Sequence, residues 1–300
     1  MNIRDLQYLV AVYDLKNFSK AAEKCFVSQP TLSGQLKKLE EQLGAPLMER
    51  TTRQVLFTPL GEQVVIKARE VLLSIENIKD LAKNDEDEMA GEFHIGLIPT
   101  VGPFLLPLIM PELSKQFPQM KVFLYELQTK VLLEKLHNGE LDAIVLAKLD
   151  WDFPVKETHL YHEAMLLAVS EQHAFAHNAQ PAELKMLKNQ SVLMLEDGHC
   201  LRDQALGVCF SAGAEEDHRY QATSIDTLLH MVSAGAGITL IPALAAKQKK
   251  QGIKYLPFTE PQPSREIVML TRKNSVRSAA FTKFANLITN LSEMVNGKHV

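Results

Sequence analysis

The sequence predicts two folded parts joined by one long helix: a small winged helix-turn-helix unit and a larger two-lobed α/β domain. Three observations predict this division. Apolar residues recur at helical spacing through the N-terminal segment, a run of four acids at positions 85–88 closes it, and strand-like and helix-like stretches alternate beyond it. The length of 300 residues fits two domains, because a domain holds about 100–200 residues.

Composition is that of an ordinary globular chain, with 46% hydrophobic residues and a net charge of −4. No apolar run reaches the ~18 residues of a membrane helix, and Asp5 stands where a signal peptide would begin its apolar stretch. We therefore expect a cytoplasmic protein with no membrane partner. Three cysteines are too few for a secreted disulfide framework, so in a reducing compartment they are packing residues or reactive thiols.

Three short helices are predicted near the N-terminus. The first covers about 2–15, and the second runs from Ser19, its expected N-cap, to Lys24. The third begins after the cap Ser28 and stops at Gly44.

The third helix has two different faces. One face is an apolar stripe, and the other is polar. The polar face carries short hydrogen-bonding side chains near the start of the helix and Lys37 after them, which is what a recognition helix in a DNA major groove needs. A β-wing is predicted next, with Arg50 and Arg53 free for phosphates or the minor groove. By spacing alone, a helical bundle with solvated polar residues is an equal alternative. The apolar stripe is Leu32, Leu36, Leu39 and Leu43, and the polar face is Gln29, Thr31, Ser33 and Gln35.

One uninterrupted helical pattern extends from Thr58-Pro59 to Lys83. Its apolar positions step alternately by four and three residues, which is the heptad pattern of a coiled coil. We expect this linker helix to pair with a second copy of the chain; the alternative is that the seam packs on the chain's own core. The seam residues are Val64, Ala68, Val71, Ile75, Ile78 and Ala82.

The rest of the chain predicts an α/β domain with a parallel sheet. Ligands in such sheets bind beyond the carboxyl ends of strands, where Thr100 and Thr129 lie. The alternative for each threonine is an ordinary helix N-cap. Strands are predicted at 93–98, 121–126 and 141–146, a helix at 129–138, and a second lobe beginning near Ala164.

Two of the three cysteines, Cys200 and Cys209, lie nine positions apart around a segment that favours helix at 201–206. If the whole interval is helical, their Cα atoms stand about 13.5 Å apart, whereas a disulfide tolerates about 7 Å at most. Oxidation would then replace a helix by a loop, which is what a switch requires. The alternative is two buried cysteines acting as small hydrophobes. His199 adjoins Cys200 too closely for ordinary zinc spacing, so no metal is expected.

The two thiols are expected to differ. Cys200 starts the helix beside His199 and close to Arg202, and the helix dipole with these cations favours its thiolate. Cys209 lies near the helix end between apolar neighbours and is expected to keep a higher pKa. Cys200 is therefore the expected attacking thiolate, oxidised to a sulfenic acid, and Cys209 its resolving partner. Cys25 is expected to be a packing residue.

Several motifs together resemble a LysR-type transcriptional regulator: Phe18-Ser19-Lys20-Ala21-Ala22-Glu23, Ser28-Gln29-Pro30-Thr31-Leu32-Ser33, and Leu43-Gly44. The resemblance implies a winged helix-turn-helix over 1–58, a dimerising linker helix over 59–88, and a periplasmic-binding-protein-like regulatory domain over 89–300. Its lobe I would cover about 89–162 and 266–300, and its lobe II about 163–265. The family commonly assembles as a homodimer or homotetramer. The positions it implies for DNA contact are Gln29, Pro30, Thr31, Ser33, Arg50 and Arg53.

The segment from Asp197 to Cys209, with the block around Pro99-Thr100, looks like that of the peroxide-sensing members of this family. The match implies that hydrogen peroxide oxidises Cys200 and forms a reversible Cys200–Cys209 disulfide, with glutaredoxin or thioredoxin as the reductant. Changed subunit contacts would then alter binding to double-stranded promoter DNA and recruit RNA polymerase. Val208 stands where the resemblance leads us to expect a bulkier Phe, so packing around the resolving cysteine is expected to differ. The residues implied for the peroxide pocket are Thr100, Thr129, His199 and Arg265.

Two other functions compete with a redox-controlled regulator that activates oxidative-stress genes. A thiol peroxidase would share the chemistry at Cys200, but it has no use for a recognition helix and a dimer seam. A LysR-type regulator could instead sense a small organic molecule between the lobes, with the cysteines incidental. We expect a regulator that is not an enzyme and that needs no cofactor.

Overall fold

The chain forms two compact units, Met1–Glu86 and Asp87–Val300, each with its own hydrophobic core. Most of the predicted acidic boundary, residues 84–87, lies outside the described residues. The structure is a computed structural model that describes residues 1–50, 55–83, 88–151, 154–177 and 181–296.

The N-terminal unit contains the predicted helices. The first begins with a capping box, in which the Asn2 side chain and the Asp5 side chain each accept a hydrogen bond from the other's backbone N–H. The second is capped by Asn17, whose side chain accepts from the Lys20 N–H at 3.0 Å. The prediction that Ser19 is this cap is therefore wrong, because the cap lies two residues earlier and the helix already begins at Phe18. The helices are α1 (Ile3–Leu15), α2 (Phe18–Lys24), α3 (Gln29–Leu43) and α4 (Pro59–Lys83).

Helix α3 begins and ends where the sequence predicts. The Ser28 side chain accepts a hydrogen bond from the Thr31 N–H at 3.3 Å, and Gly44 ends the helix with a φ of 69°. The stripe that holds α3 in the core is shorter than predicted. Leu36 is fully buried, whereas Leu43, in the last turn, is 42% exposed.

The predicted wing is an antiparallel pair, β1 (Met48–Arg50) and β2 (Val55–Phe57), with Met48 opposite Phe57. The residues that join these strands, 51–54, lie outside the described residues, and with them the predicted DNA contact Arg53.

The residues of the predicted dimer seam on helix α4 fall into two groups, one buried and one exposed. Ala68 is 2% exposed and belongs to the core of the N-terminal unit, and the half-buried Val64 packs against that core. One turn further, Val71 is 46% exposed, and Ile78 is 66% exposed. The early positions thus follow the alternative, a seam packed on the chain's own core, while the later ones present apolar surface. The side chain of Ala82 lies outside what the structure describes.

The second unit begins with the predicted alternation of strands and helices. Strand β3 (Gly91–Leu97) lies between β4 (Met120–Glu126) and β5 (Ala143–Ala147), parallel to both. Helices α5 (Gly102–Gln116) and α6 (Thr129–His137) make the crossovers. The carboxyl end of β3 therefore leads directly to Thr100, and that of β4 to Thr129.

One long strand, β6 (Val155–Ser170), serves both lobes. Its first part pairs with the C-terminal strand β11 (Ser264–Arg272), and its last residues pair with β9 (Thr239–Pro242) and β10 (Ile253–Leu256). The second-lobe strand predicted to begin near Ala164 is thus the end of this longer strand.

Lobe II is completed by a parallel pair of strands with helices around it. The pair, β7 and β8, is joined by the helix that carries Cys200 and Cys209. No helix in the described ranges is both long and apolar enough to cross a membrane. The remaining elements are β7 (Ser191–Leu195), α7 (Cys200–Ser211), β8 (Glu215–Ala222), α8 (Ile225–Ser233), α9 (Ala243–Ala246), α10 (Ser278–Asn296) and two 3-10 turns, Ala174–His177 and Leu184–Leu187.

The shortened α3 stripe gives a direct test. Leu36→Ala is expected to lower the free energy of unfolding by about 2–5 kcal/mol, because it leaves a cavity in a closed core. Leu43→Ala, on the same helix, is expected to change it by about 0.5 kcal/mol or less. Urea unfolding of the full-length chain, followed by circular dichroism, measures both; equal losses would mean that Leu43 also belongs to the core.

Candidate redox site and DNA-binding surface

Cys200 and Cys209 are both reduced and both lie in α7, where Cys200 is the first residue and Cys209 is in the last turn. The predicted helix is therefore continuous across the whole interval. At 1.5 Å per residue the two Cα atoms are separated by about 13.5 Å, roughly twice the limit for a disulfide. The thiols can bond only after α7 unwinds.

The two sulfur atoms are buried in different hydrophobic cores. Cys200 is 4% exposed and belongs to the cluster that includes Val101 and Leu244, which is centred on the first lobe. Cys209 is 1% exposed and belongs to a second-lobe cluster with Leu167. A disulfide between them therefore requires at least one cysteine to leave its core.

Burial raises the pKa of the Cys209 thiol to about 12. The direction of this shift is the one predicted from the apolar neighbours of Cys209. Cys209 is consequently a neutral thiol near pH 7 and a poor nucleophile while α7 is intact. Val208, half-buried, packs against the same cluster, whereas Phe210 is 56% exposed. Cys25 is half-buried against the core of the N-terminal unit, and burial raises its pKa as well.

His199 does not supply the predicted cation. It is the N-cap residue of α7 and is 5% exposed, and this burial lowers the pKa of its imidazole below the ordinary value. Glu196, whose Oε1 is 3.9 Å from His199 Nε2, opposes the shift without reversing it. The neutral imidazole therefore predominates at pH 7, so His199 adds no positive charge beside Cys200.

Arg202 does not have the predicted role of a cation that favours the Cys200 thiolate, because two acids and a carbonyl bind its guanidinium. Its Nη2 donates to Glu216 Oε2 at 3.1 Å, its Nε lies 2.9 Å from Asp197 Oδ1, and its Nη1 donates to the Leu195 carbonyl at 3.1 Å. The carboxylates offset the charge of Arg202. It fastens α7 to β8 and to the end of β7.

Thr129 and Cys200 share the wall of a cavity of about 500 Å³. Thr129 is 8% exposed, and its Oγ1 has no hydrogen-bond partner among the described residues. The capping alternative does not apply to it, because the N-cap of α6 is Gln128. A buried hydroxyl without a partner beside a cysteine is available to a bound ligand.

Thr100 and Arg265 are joined in a second buried cluster. Arg265 Nη1 donates to Thr100 Oγ1, and Nη2 donates to the Thr100 carbonyl, both at 2.9 Å. Arg265 Nε also donates to Glu163 Oε2 at 2.9 Å, and Glu163 Oε1 accepts from the Leu244 N–H at 3.0 Å. Thr100 is not a cap either, because α5 begins after Val101.

Glu163 is the site residue that sequence reasoning missed. It is 2% exposed and neutralises Arg265, which is 102 positions away in the sequence. An unpaired charge at that depth would cost several kcal/mol, so the pair is a structural requirement. The one signal in the sequence is an acid next to the apolar run Ala164-Met165-Leu166-Leu167.

The loop before α7 rests against the start of α6. Gly198 has a φ of 93°, and a Cβ atom at this position would stand 2.7 Å from Gln128 Oε1. Gln128 Nε2 donates to the Asp197 carbonyl at 3.4 Å. Glycine is therefore favoured by the backbone conformation, and a larger residue would also displace the Gln128 side chain.

On the N-terminal unit, the predicted reading residues Gln29, Pro30 and Thr31 are exposed at the start of α3, and Ser33 is half-buried. Gln29 Oε1 accepts from Ser19 Oγ at 3.3 Å, which leaves the Gln29 amide NH₂ free to donate.

Lys37 is exposed and lies 3.9 Å from Glu41. The side chain of Arg50 lies outside what the structure describes. Within the described part of the chain, no group of three or more His, Cys, Asp or Glu side chains is arranged to hold a metal ion.

Comparison with known families assigns both units. Residues 3–62 match the bacterial regulatory helix-turn-helix protein family of LysR type, and residues 86–292 match the LysR substrate binding domain. The chain belongs to the LysR family of bacterial helix-turn-helix regulators.

Within that family, several of the similar proteins are named for hydrogen peroxide. The chain is 49% identical over 292 residues to the hydrogen peroxide-inducible genes activator of Haemophilus influenzae, covering 97% of each chain. Among solved structures, full-length OxyR of Pseudomonas aeruginosa, carrying a cysteine-to-aspartate substitution, gives a TM-score of 0.80 at 33% identity, covering 96% of this chain and 94% of that one. The oxidized form of an OxyR gives 0.63 at 46% identity, covering 69% of this chain and 98% of that one.

The raised pKa of Cys209 predicts slow alkylation. At pH 8, four units below a pKa of about 12, about one Cys209 in ten thousand is a thiolate. Iodoacetamide is therefore expected to leave Cys209 unmodified in the folded reduced protein, with labelling increasing as pH rises. Mass spectrometry of the alkylated peptides measures this, and labelling in urea is the control. Rapid modification of folded Cys209 at pH 8 would contradict its burial.

The anchoring of α7 by Arg202 predicts unequal effects of removing its two acidic partners. Glu216 has a side chain that is 7% exposed, so Glu216→Gln is expected to weaken the anchor by about 1–3 kcal/mol. Asp197 has a side chain that is 94% exposed, so Asp197→Asn is expected to have a much smaller effect. Hydrogen exchange of the amides of α7 measures both variants. Equal protection in Glu216→Gln and the unmodified chain would exclude the anchoring role.

Proposed function

We propose that this chain is a peroxide-responsive transcriptional regulator that binds promoter DNA and uses Cys200 and Cys209 as a reversible switch. One observation carries the proposal: the two thiols occupy one continuous helix but belong to different cores. Joining them necessarily rebuilds the region between β7 and β8. The proposal also draws on the similar regulators, one named as an activator of hydrogen peroxide-inducible genes and one solved in an oxidized form.

The chemistry begins at Cys200, which lies on the cavity wall. Its thiolate attacks one oxygen of hydrogen peroxide, the S–O bond forms as the O–O bond breaks, and the departing hydroxide takes up a proton to give water. The product is a sulfenic acid. The residues proposed to bind peroxide and stabilise the departing oxygen are Thr100, Thr129, His199 and Arg265.

Resolution follows once α7 opens. The Cys209 sulfur attacks the sulfenic acid, the S–S bond forms, and a second water leaves. Opening exposes Cys209 to water and so removes the burial that raises its pKa. Glutaredoxin or thioredoxin would return the pair to the thiol form by disulfide exchange.

The switch would act on DNA through subunit contacts. Unwinding α7 breaks the anchor of Arg202 on Glu216 and thereby changes the surface of lobe II. In the N-terminal unit, the exposed start of α3 would enter a major groove, and the exposed Val71 and Ile78 on α4 would pair two chains. We infer a homodimer or homotetramer in the cytoplasm that recruits RNA polymerase when oxidised.

We infer a regulator and not an enzyme; the match to the regulatory helix-turn-helix family and the similar regulators support this inference. A small organic effector remains the second candidate, since the cavity beside Cys200 has a volume typical of ligand sites. In that case the thiols would stay unchanged while the ligand altered DNA binding.

The test compares the footprint of the reduced protein, on double-stranded DNA selected by the protein itself from a random pool, before and after stoichiometric hydrogen peroxide. The unmodified chain is expected to change its footprint and lose two free thiols, whereas Cys200→Ser is expected to do neither. Cys25→Ser is the matched control and is expected to behave like the unmodified chain.

A peroxide-dependent footprint that survives in Cys200→Ser would contradict the redox switch. Unchanged thiols with a ligand-dependent footprint would favour the effector alternative. Sustained peroxide consumption with thioredoxin would favour a peroxidase.

A further inference from the structure

Helix α4 leaves the core of the N-terminal unit near its middle. Val65 and Ala68 are 1% and 2% exposed and belong to that core, whereas Val71 is 46% exposed. The first half of α4 is therefore part of the body that carries α3, and the later half presents the apolar surface proposed to pair two chains. The place where these halves meet decides how α3 is aimed relative to the second chain.

An ion pair lies at this place. Arg69, whose side chain is 10% exposed, donates from its Nη2 to Oδ1 of Asp14 in the last turn of α1. The other Asp14 oxygen, Oδ2, is 3.9 Å from Nζ of Lys24, the last residue of α2. One carboxylate thus contacts both the linker helix and the first helix of the helix-turn-helix.

This ion pair supplies a constraint that apolar packing lacks. Arg69 lies about 40° around the axis of α4 from the buried Val65, because four residues of a helix turn through slightly more than one full turn. Apolar contacts are non-directional, so the buried face of α4 tolerates a small rotation of the helix. A charge-assisted hydrogen bond depends on both distance and direction. The bond between Arg69 and Asp14 therefore resists rotation of α4 against α1.

The same end of α1 also contacts the wing. The Tyr13 ring packs edge-on against Phe57 of β2, with the ring centroids 4.9 Å apart, and Lys16 Nζ is 3.8 Å from the Tyr13 centroid. The guanidinium carbon of Arg69 is 6.0 Å from that centroid. The linker helix therefore meets α2 and the wing at one end of α1. We call α2, α3, β1 and β2 together the reading head.

We propose that Asp14 is a positioning residue that fixes the angle between the reading head and α4, and thereby sets the spacing of the two DNA half-sites that a dimer binds. The inference rests on the proposed function, because it needs two chains paired on promoter DNA. One added base pair turns the second half-site by about 34° and moves it about 3.4 Å along the duplex. A reading head held at a fixed angle on α4 cannot follow this change, so binding depends on the spacing.

The experiment measures binding of the full-length reduced chain to double-stranded DNA that the chain itself selects from a random pool. Each variant is titrated with the selected spacing, with one base pair added or removed between the half-sites, and with a single half-site. The spacing ratio is the affinity for the selected spacing divided by the affinity for an altered one.

Asp14→Asn and Arg69→Gln each remove one partner of the ion pair. Both are expected to lower the spacing ratio about fivefold or more, because a loosened reading head can follow the displaced half-site. Affinity for the single half-site is expected to change less than about twofold, because neither variant alters the polar face of α3.

Glu70→Gln is the matched control. It makes the same change of charge as Asp14→Asn next to Arg69, but it breaks only a pair with Lys67 on the same helix, at 2.9 Å. It is expected to keep the spacing ratio of the unmodified chain. Asp14→Glu retains a carboxylate that can reach Arg69 and is expected to restore most of the ratio. A folding defect lowers the affinity for all probes alike, including the single half-site, and so leaves the ratio unchanged.

Four outcomes decide against the inference. A spacing ratio that is unchanged in both Asp14→Asn and Arg69→Gln overturns it and leaves the proposed function standing. An equal fall in Glu70→Gln also overturns it, because net charge and not the ion pair then sets the ratio. An unmodified chain that binds all spacings equally has no spacing to set, with the same consequence. Absence of sequence-selective DNA binding by the unmodified chain overturns the proposed function and this inference with it.

Discussion

The continuous backbone hydrogen bonding of α7 is the constraint on which the regulatory unit depends. While the helix is intact, Cys200 and Cys209 are held about 13.5 Å apart and in separate cores. A disulfide exchanges that arrangement for a covalent bond that α7 cannot accommodate. The reduced and oxidised chains must therefore differ in backbone structure, and a change in redox state becomes a change in shape.

The surroundings of α7 confine this change. Arg265 and Glu163 form a buried, fully hydrogen-bonded pair that ties the end of β3 to β6 and β11, and breaking it would leave an uncompensated charge. Arg202, by contrast, holds α7 through contacts that are partly exposed to water. The weaker anchor thus belongs to α7, which the proposed disulfide would have to unwind, and the stronger one to the strands around it.

Local signals in the sequence were sufficient for most of the fold. Ser28 and Gly44 bound α3 because capping is decided within a few residues, and the spacing of Cys200 and Cys209 predicted a helix that would have to unwind. Partners set by the tertiary fold were not predictable. Glu163 lies 102 positions from Arg265, and no motif joins them. The prediction of a positive charge on His199 was wrong for a related reason. Its pKa depends on burial, which sequence spacing does not reveal.

Burial also fixes the order of the two thiol reactions. Cys209, with its pKa raised to about 12 and its side chain enclosed in the core of lobe II, presents almost no thiolate to an oxidant in the cleft. Cys200 lines the cavity and begins the helix, so an oxidant meets it first. Cys209 becomes a competent nucleophile only when α7 opens and water reaches it. In the proposed switch, the intact helix therefore keeps Cys209 unreactive until α7 opens, so that Cys200 reacts first.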